Sequence, residues 1–403
     1  MISDGWLEVP IGLNAERWVT REHLRTVLVV AHSVTALQRL LDVTPLFETD
    51  QRVQTVFTQG PGAFSNGVDR LISDIGAVAV PWSQAVRSTF DLALASGYTS
   101  LHELHAPIIV LPHGAGYNKF VPFKNGTAPA TPIIYGLNPQ QLIRDGRVVP
   151  SVIALSHSDE LQILEKHCPD ALPHAVVVGD PCADRILASR TRKSHYRASL
   201  GLSEHEKLLV LSSTWGPSSL FGSAPEVFDR AMVESLTSGY TVAALLHPGI
   251  WSGHGLRQVR SWFSRYRADG MRLVEPDEEW RAVLMGADWV IGDHGSTSLY
   301  SAAAGVPVVH IDVPSALVVP GSAMELLHST TPALRSDSSV HAQLVRAAQA
   351  FDRSATDKVL QRITSAPEMS GPLIRRIVYE KLSLAEPPEP AVLPLLPAAN
   401  RSA

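Results

Sequence analysis

The stretch Ala287-Asp-Trp-Val-Ile-Gly-Asp293-His-Gly-Ser-Thr-Ser-Leu-Tyr300, closing at Ala304-Gly-Val-Pro-Val-Val309, decides the fold class. It reads as a strand, a tight polar turn, a helix of small residues, a Gly-x-Pro stop and a second strand. The turn puts Asp293 at a strand end. Gly295 allows close backbone approach, and Ser296 and Thr297 supply hydroxyls where the helix opens. A helix N-terminus of this kind binds anions, phosphate above all, through its outward N–H groups and its dipole. A capped helix without a ligand is the plainer reading, since Ser, Thr and Asp are good N-caps. The turn carries more polar groups than a cap needs.

Working outward, apolar β-rich runs alternate with helical patterns. Thr26–Ala31, Val53–Thr58, Ala77–Val80, Ile108–Leu111, Ile133–Tyr135, Val152–Leu155 and Ala175–Val178 read as one set of strands. Lys207–Ser212, Thr241–Leu246, Met271–Val274, Trp289–Ile291 and Val306–Ile311 read as a second. Strands apolar on both faces and separated by helices imply parallel sheets. Two such sets predict an α/β protein of two Rossmann-like, doubly wound domains. The boundaries predicted are an N-terminal domain over 1–188, a C-terminal domain over 197–384, and a Pro-rich tail over 385–403. The polar basic stretch Ser189–Tyr196 separates the domains. Five prolines between 386 and 400 make the tail read as extended or disordered.

Open parallel sheets bind ligands at the carboxyl ends of their strands, and four more motifs sit there. Ser213-Thr214-Trp215-Gly216 follows Leu208–Leu211, and His247-Pro248-Gly249 follows Val242–Leu246. His113-Gly-Ala-Gly-Tyr-Asn-Lys119 follows Ile108–Leu111, and His32-Ser33 ends the first strand. A histidine at a strand end can donate to a phosphate or take a proton from an acceptor. Each also admits a structural reading as a turn or cap.

The bulk composition narrows the classes. At 403 residues the chain is long for one core. It is 45% hydrophobic and 18% charged, as soluble enzymes are. A net charge of −5 gives no electrostatic footprint for nucleic acid. Two cysteines outside CxxC spacing suit a reducing, cytoplasmic setting. No apolar run reaches the length of a membrane span, and the first residues lack a signal-peptide pattern. His102-Glu-Leu-His105 is not the HExxH zinc motif, and no GxxxxGK[ST], GxSxG or Asp-x-Asp occurs. The reading is therefore free of a metal and of a bound cofactor.

The ordered set His113-Gly114, Ser213-Thr214-Trp215, His247-Pro248 and Asp293-x-x-Ser296 resembles the CDP-glycerol glycerophosphotransferases, over residues 105–312. That resemblance implies a GT-B scaffold with an interdomain cleft. It also implies a transferase moving a glycosyl or polyol-phosphate group from a nucleotide-diphosphate donor, CDP- or UDP-linked, to an acceptor hydroxyl. His113 and His247 are the implied catalytic residues. Ser213, Thr214, His247, Asp293, Gly295, Ser296 and Thr297 are the implied donor-binding set, and His32, Ser33 and Lys119 the acceptor side. Two departures stand out: Tyr300 holds the place of an acid that the family has seven residues after its Asp, and Ala115-Gly116 replaces Thr-Pro. A sugar-nucleotide epimerase on the same scaffold, or a degenerate, non-catalytic nucleotide-binding protein, are the competing expectations.

Overall fold

The protein is described here by a computed structural model, covering residues 7–9, 11, 17, 19–117, 119–120 and 133–399. These fall into two compact units. The first holds the chain up to Tyr117, residues 133–184 and Thr364–Pro394. The second holds Lys119 and Phe120, Arg185–Ile363 and the chain from Leu395.

The first unit is built on a six-stranded parallel sheet. Its strands are β1 (Arg25–Ala31), β2 (Val53–Gln59), β3 (Leu92–Ala95), β4 (Ile108–Val110), β5 (Val152–Leu155) and β6 (Ala175–Val177). Their spatial order is β2-β1-β3-β4-β5-β6. Val27, Val29 and Ala31 face one apolar layer and Leu28 and Val30 the other, so this β-branched run is buried on both sides. β3 was not anticipated. Leu92-Ala-Leu-Ala95 consists of good helix formers, yet it lies between β1 and β4 and is fully buried. Conversely, Ala77–Val80 is not a strand and makes one isolated bridge, Ala79 to Phe57. Ile133–Tyr135 also lies outside the named strands.

The second unit carries β7 (Lys207–Ser213), β8 (Tyr240–Leu246), β9 (Arg272–Val274), β10 (Trp289–Gly292) and β11 (Val308–His310). They form a parallel sheet in the order β9-β8-β7-β10-β11. Successive strands are added to one side of β7 and then, from β10 on, to the other, so the topological switch point lies where Ser213 and Gly292 end their strands.

The carboxyl-terminal segment departs from a continuous domain over 197–384. Helix Ser370–Leu382 returns to the first unit, where Ile374, Val378, Tyr379 and Leu382 join the core and Tyr379 donates to Asp50 at 2.8 Å. The Pro-rich segment is seated rather than loose. Leu396 is buried in the second unit, its N–H donating to Ser189 Oγ at 3.1 Å and its carbonyl accepting from Tyr196 at 2.9 Å. No helix among the described residues is long and apolar enough to cross a membrane.

Candidate functional site

In the second unit the ends of β7, β8 and β10 are tied into one structure. Asp293 is 1% exposed, and its carboxylate accepts three backbone N–H groups: Thr214 and Leu220 at 2.8 Å each, and Gly295 at 2.9 Å. Those bonds fix the turn after β7 to the turn after β10. Burial outweighs them and holds the carboxyl up at about 6, with the charge of Lys119 pulling the other way. The Asp293 side chain thus shapes the site rather than presenting itself to a ligand.

Gly292 and Gly295 both sit where a side chain would be crowded, Gly292 the more severely. A Cβ on Gly292 would collide with Ser298 Oγ, which donates to the Asp293 carbonyl at 2.9 Å. One on Gly295 would come within 3.2 Å of Asp293 Oδ1 and 3.4 Å of Thr214 Cβ. Gly295 then caps helix Ser296–Ala304, which ends on Gly305 at φ 82°. Ser296 and Thr297, partly exposed, open it at the end where helix N–H groups point outward, and the N–H of Ser298 donates to the Gly295 carbonyl at 3.0 Å. Ser213 is differently employed. Its hydroxyl donates to the Thr214 carbonyl at 2.8 Å and accepts from Phe221 N–H at 2.9 Å, which holds the turn after β7.

His247 joins through its N–H, which donates to the Ser213 carbonyl at 2.8 Å. It is the N-cap of helix Pro248–His254, with ring Nδ1 accepting from Gly249 N–H at 2.9 Å. A neutral imidazole that accepts at Nδ1 carries its hydrogen on Nε2. The cap therefore fixes His247 as an Nε2–H donor. Trp215, 42% exposed, packs over Gly249, where a Cβ would come within 3.2 Å of its ring.

Lys119 was expected with the acceptor-side residues of the first domain, but it belongs to the second unit, where its charge faces Asp293. Its charge also acts on His294, on which His328 acts in turn, and His328 stacks on His310. Sequence reading did not single out these three. His310 and His328 have no local spacing that links them to the Asp293 turn; the pairing of β11 with β10 and the packing of helix Ala323–Thr330 bring them in.

The first unit holds the other expected residues. His32 is 8% exposed and donates from Nε2 to the Thr99 carbonyl at 2.8 Å. Its ring is pressed between glycines: a Cβ on Gly60 or Gly97 would lie 2.8 Å from it. Burial lowers its pKa. Ser33 caps helix Val34–Leu41, its hydroxyl accepting from Ala36 N–H at 3.1 Å. His113 lies edge-on to Tyr135, centroids 5.3 Å apart, and Tyr135 lies edge-on to Tyr98 at 5.9 Å. The glycine loop after His113 is pinned from below by Glu160. That buried carboxylate accepts from Tyr117 N–H at 3.0 Å, Ser156 N–H at 2.7 Å and His157 N–H at 3.2 Å. Burial raises it to about 7.

Solved structures give a consistent picture of the scaffold. A histidine variant of the wall teichoic acid polymerase TagF superposes with a TM-score of 0.61 at 13% identity, over 90% of both chains. A TagF variant soaked with CDPG gives 0.57 at 12% identity over 89% of this chain and 88% of that one. MnaA of S. aureus, solved with UDP, gives 0.53 at 12% identity over 91% and 99%. No protein-family model and no curated protein matches the sequence. The chain has a GT-B glycosyltransferase-like fold.

Proposed function

We propose that the protein is a transferase that moves a glycosyl or polyol-phosphate group from a nucleotide-diphosphate donor, CDP- or UDP-linked, to an acceptor hydroxyl. The observation that carries this reading is the tying of three strand ends around the Asp293 carboxylate at the switch point. It preorganises the opening amides of helix Ser296–Ala304 and the Nε2–H of His247, without needing them to move when charge appears. Donors fixed in this way stabilise the charge that develops on a leaving phosphate, each typically worth on the order of 100- to 1,000-fold in rate.

In the proposed reaction the acceptor oxygen attacks the reacting centre of the donor. The bond from that centre to the leaving phosphate oxygen breaks, and the nucleotide departs with the electron pair. His113 is the proposed base for the acceptor proton, a role worth roughly 100- to 10,000-fold. Thr214, Gly295, Ser296 and Thr297 are the proposed walls of the diphosphate site. The polymerase and the UDP complex among the structural neighbours support a nucleotide donor by analogy of fold.

One observation favours a second reading, nucleotide binding without turnover. The position where the resembling family has an acid is Tyr300, which is 1% exposed and sits in the core. An epimerase reading is weakened because the carboxylate of Asp293 is already committed to backbone.

The test is a panel of CDP- and UDP-linked donors with candidate hydroxyl acceptors, read by mass spectrometry of the nucleotide product and by thermal shift. A ligand at 100 times its dissociation constant adds about 2.7 kcal/mol of stability. Binding with turnover that His113→Ala removes supports the transferase. Binding without any turnover supports the second reading, and no response to any nucleotide sinks both.

A further inference from the structure

Three histidines linked through the Asp293 turn are not absorbed by this reading. His294 follows Asp293 directly. His310 ends β11, in register with Gly292 of β10. His328 lies on helix Ala323–Thr330 and stacks on His310, centroids 4.5 Å apart and planes 13° from parallel.

The hydrogen bonds fix one tautomer. Thr331 Oγ1 donates its single hydrogen to the Leu327 carbonyl at 2.7 Å. The 3.0 Å contact between Thr331 Oγ1 and His310 Nδ1 must then be donated by the imidazole, which leaves a lone pair on His310 Nε2. Two further ring nitrogens, Nδ1 of His294 and Nε2 of His328, are buried and meet no hydrogen-bond partner. Buried polar atoms of that kind are uncommon and call for an explanation.

The charges around these rings are unequal. Lys119 and His328 act on His294, and His328 acts on His310. The opposing acids are Asp293, which faces Lys119 with both oxygens committed, and Asp312, which faces His310. Burial keeps His294 and His310 down at about 4 and lowers His328, so the stack stays neutral near pH 7. Two protonated rings face to face would repel each other. Among the described residues no three of His, Cys, Asp or Glu are arranged to hold a metal ion.

We propose that Lys119, His294, His310 and His328 form an oxyanion subsite for a phosphate group, with one proton drawn onto His294 and one onto the stacked pair, at His328, as the anion arrives. The phosphate supplies acceptors for the unpartnered nitrogens and the negative charge that makes their protonation favourable. Charge-assisted bonds of this type are about twice as strong as neutral ones. The subsite deepens the nucleotide-donor reading and rests on it for the identity of the natural ligand.

Isothermal titration calorimetry with CDP, UDP and inorganic pyrophosphate, in buffers of different ionisation enthalpy at pH 7, counts the protons taken up. The ligand's own titration is common to all forms of the protein, so the difference between wild type and variant isolates the imidazoles. His294→Gln and His328→Gln are each expected to take up fewer protons, by about one, and to bind about tenfold more weakly. Thermal unfolding confirms that each variant is folded. If neither is, the histidine Cε1–H resonances of the wild type during pyrophosphate titration decide, and they are expected to move to the protonated position. Uptake with pyrophosphate alone keeps the subsite and overturns the nucleotide reading. Nucleotide binding with equal uptake in wild type and both variants, or unmoved resonances where the variants do not fold, overturns the subsite and leaves that reading standing. Binding of none of the three overturns both.

Discussion

The carboxylate of Asp293 accepts the backbone N–H of Thr214 at 2.8 Å, joining the first strand of the second sheet to its fourth, across 79 residues of chain. With Leu220 and Gly295 as further donors, one side chain sets two turns at once. Asp293→Asn keeps the shape but turns one acceptor oxygen into a donor that faces backbone N–H groups. A buried donor left unsatisfied costs about 1–3 kcal/mol. The variant is expected to lose stability in that range by denaturant titration and to lose nucleotide binding with it. Unchanged stability would mean that the turns hold themselves.

His247 allows capping and chemistry to be separated. Asn is among the best N-cap residues, and its Oδ1 can replace Nδ1 in accepting from Gly249. It cannot replace the Nε2–H. His247→Asn is expected to unfold at nearly the wild-type temperature while turnover falls by on the order of 100- to 1,000-fold. A parallel loss of both would assign His247 to structure alone.

Glu160 predicts a pH dependence of stability. Its folded-state value of about 7 lies above the ordinary 4.5, because burial disfavours the charged form. The native state therefore binds more protons than the unfolded chain between those values. The contribution of Glu160 is fully present below about pH 4.5 and declines as pH rises to about 7. Glu160→Gln removes this part of the slope. With its amide nitrogen in the place of Oε1, Gln also loses the bond from Tyr117, loosening the loop that carries His113. Denaturation curves at half-unit pH steps, with hydrogen exchange at Tyr117, test both expectations. A slope identical in the two proteins would rule the first out.

A fragment of residues 1–188 is expected not to fold cooperatively. It lacks helix Ser370–Leu382, whose Ile374, Val378, Tyr379 and Leu382 are buried in the first core. Each such side chain contributes about 1.5–3 kcal/mol, together comparable to the whole stability of an ordinary domain. Fusing residues 364–394 to the fragment should restore a sharp thermal transition by circular dichroism. A sharp transition in the unfused fragment would show that the helix is dispensable.

Much of the scaffold was legible because β1, β7 and β8 are apolar runs, each containing Val and Leu, that sheets bury on both faces. β3 was not, since Leu and Ala carry no strand preference and only its neighbours make it one. Ala77–Val80 and Ile133–Tyr135 show the converse: β-rich composition that does not extend into a named strand, Ala77–Val80 meeting the edge strand β2 by a single bridge. At the site, Asp293, Gly295, Ser296 and His247 could be found from strand-end position. His310 and His328 could not, for their nearness to Asp293 comes from sheet order and helix packing, which no local pattern records.

The return of residues 364–394 to the first unit sets a schedule for synthesis. The amino-terminal sheet leaves the ribosome first, yet the helix that completes its core is made only after residues 185–363 have emerged. The usual amino-to-carboxyl order of maturation is thereby reversed at its last step: the earlier half waits, partly uncovered, for the final stretch of translation. In a living cell this interval is where a chaperone would have its opportunity.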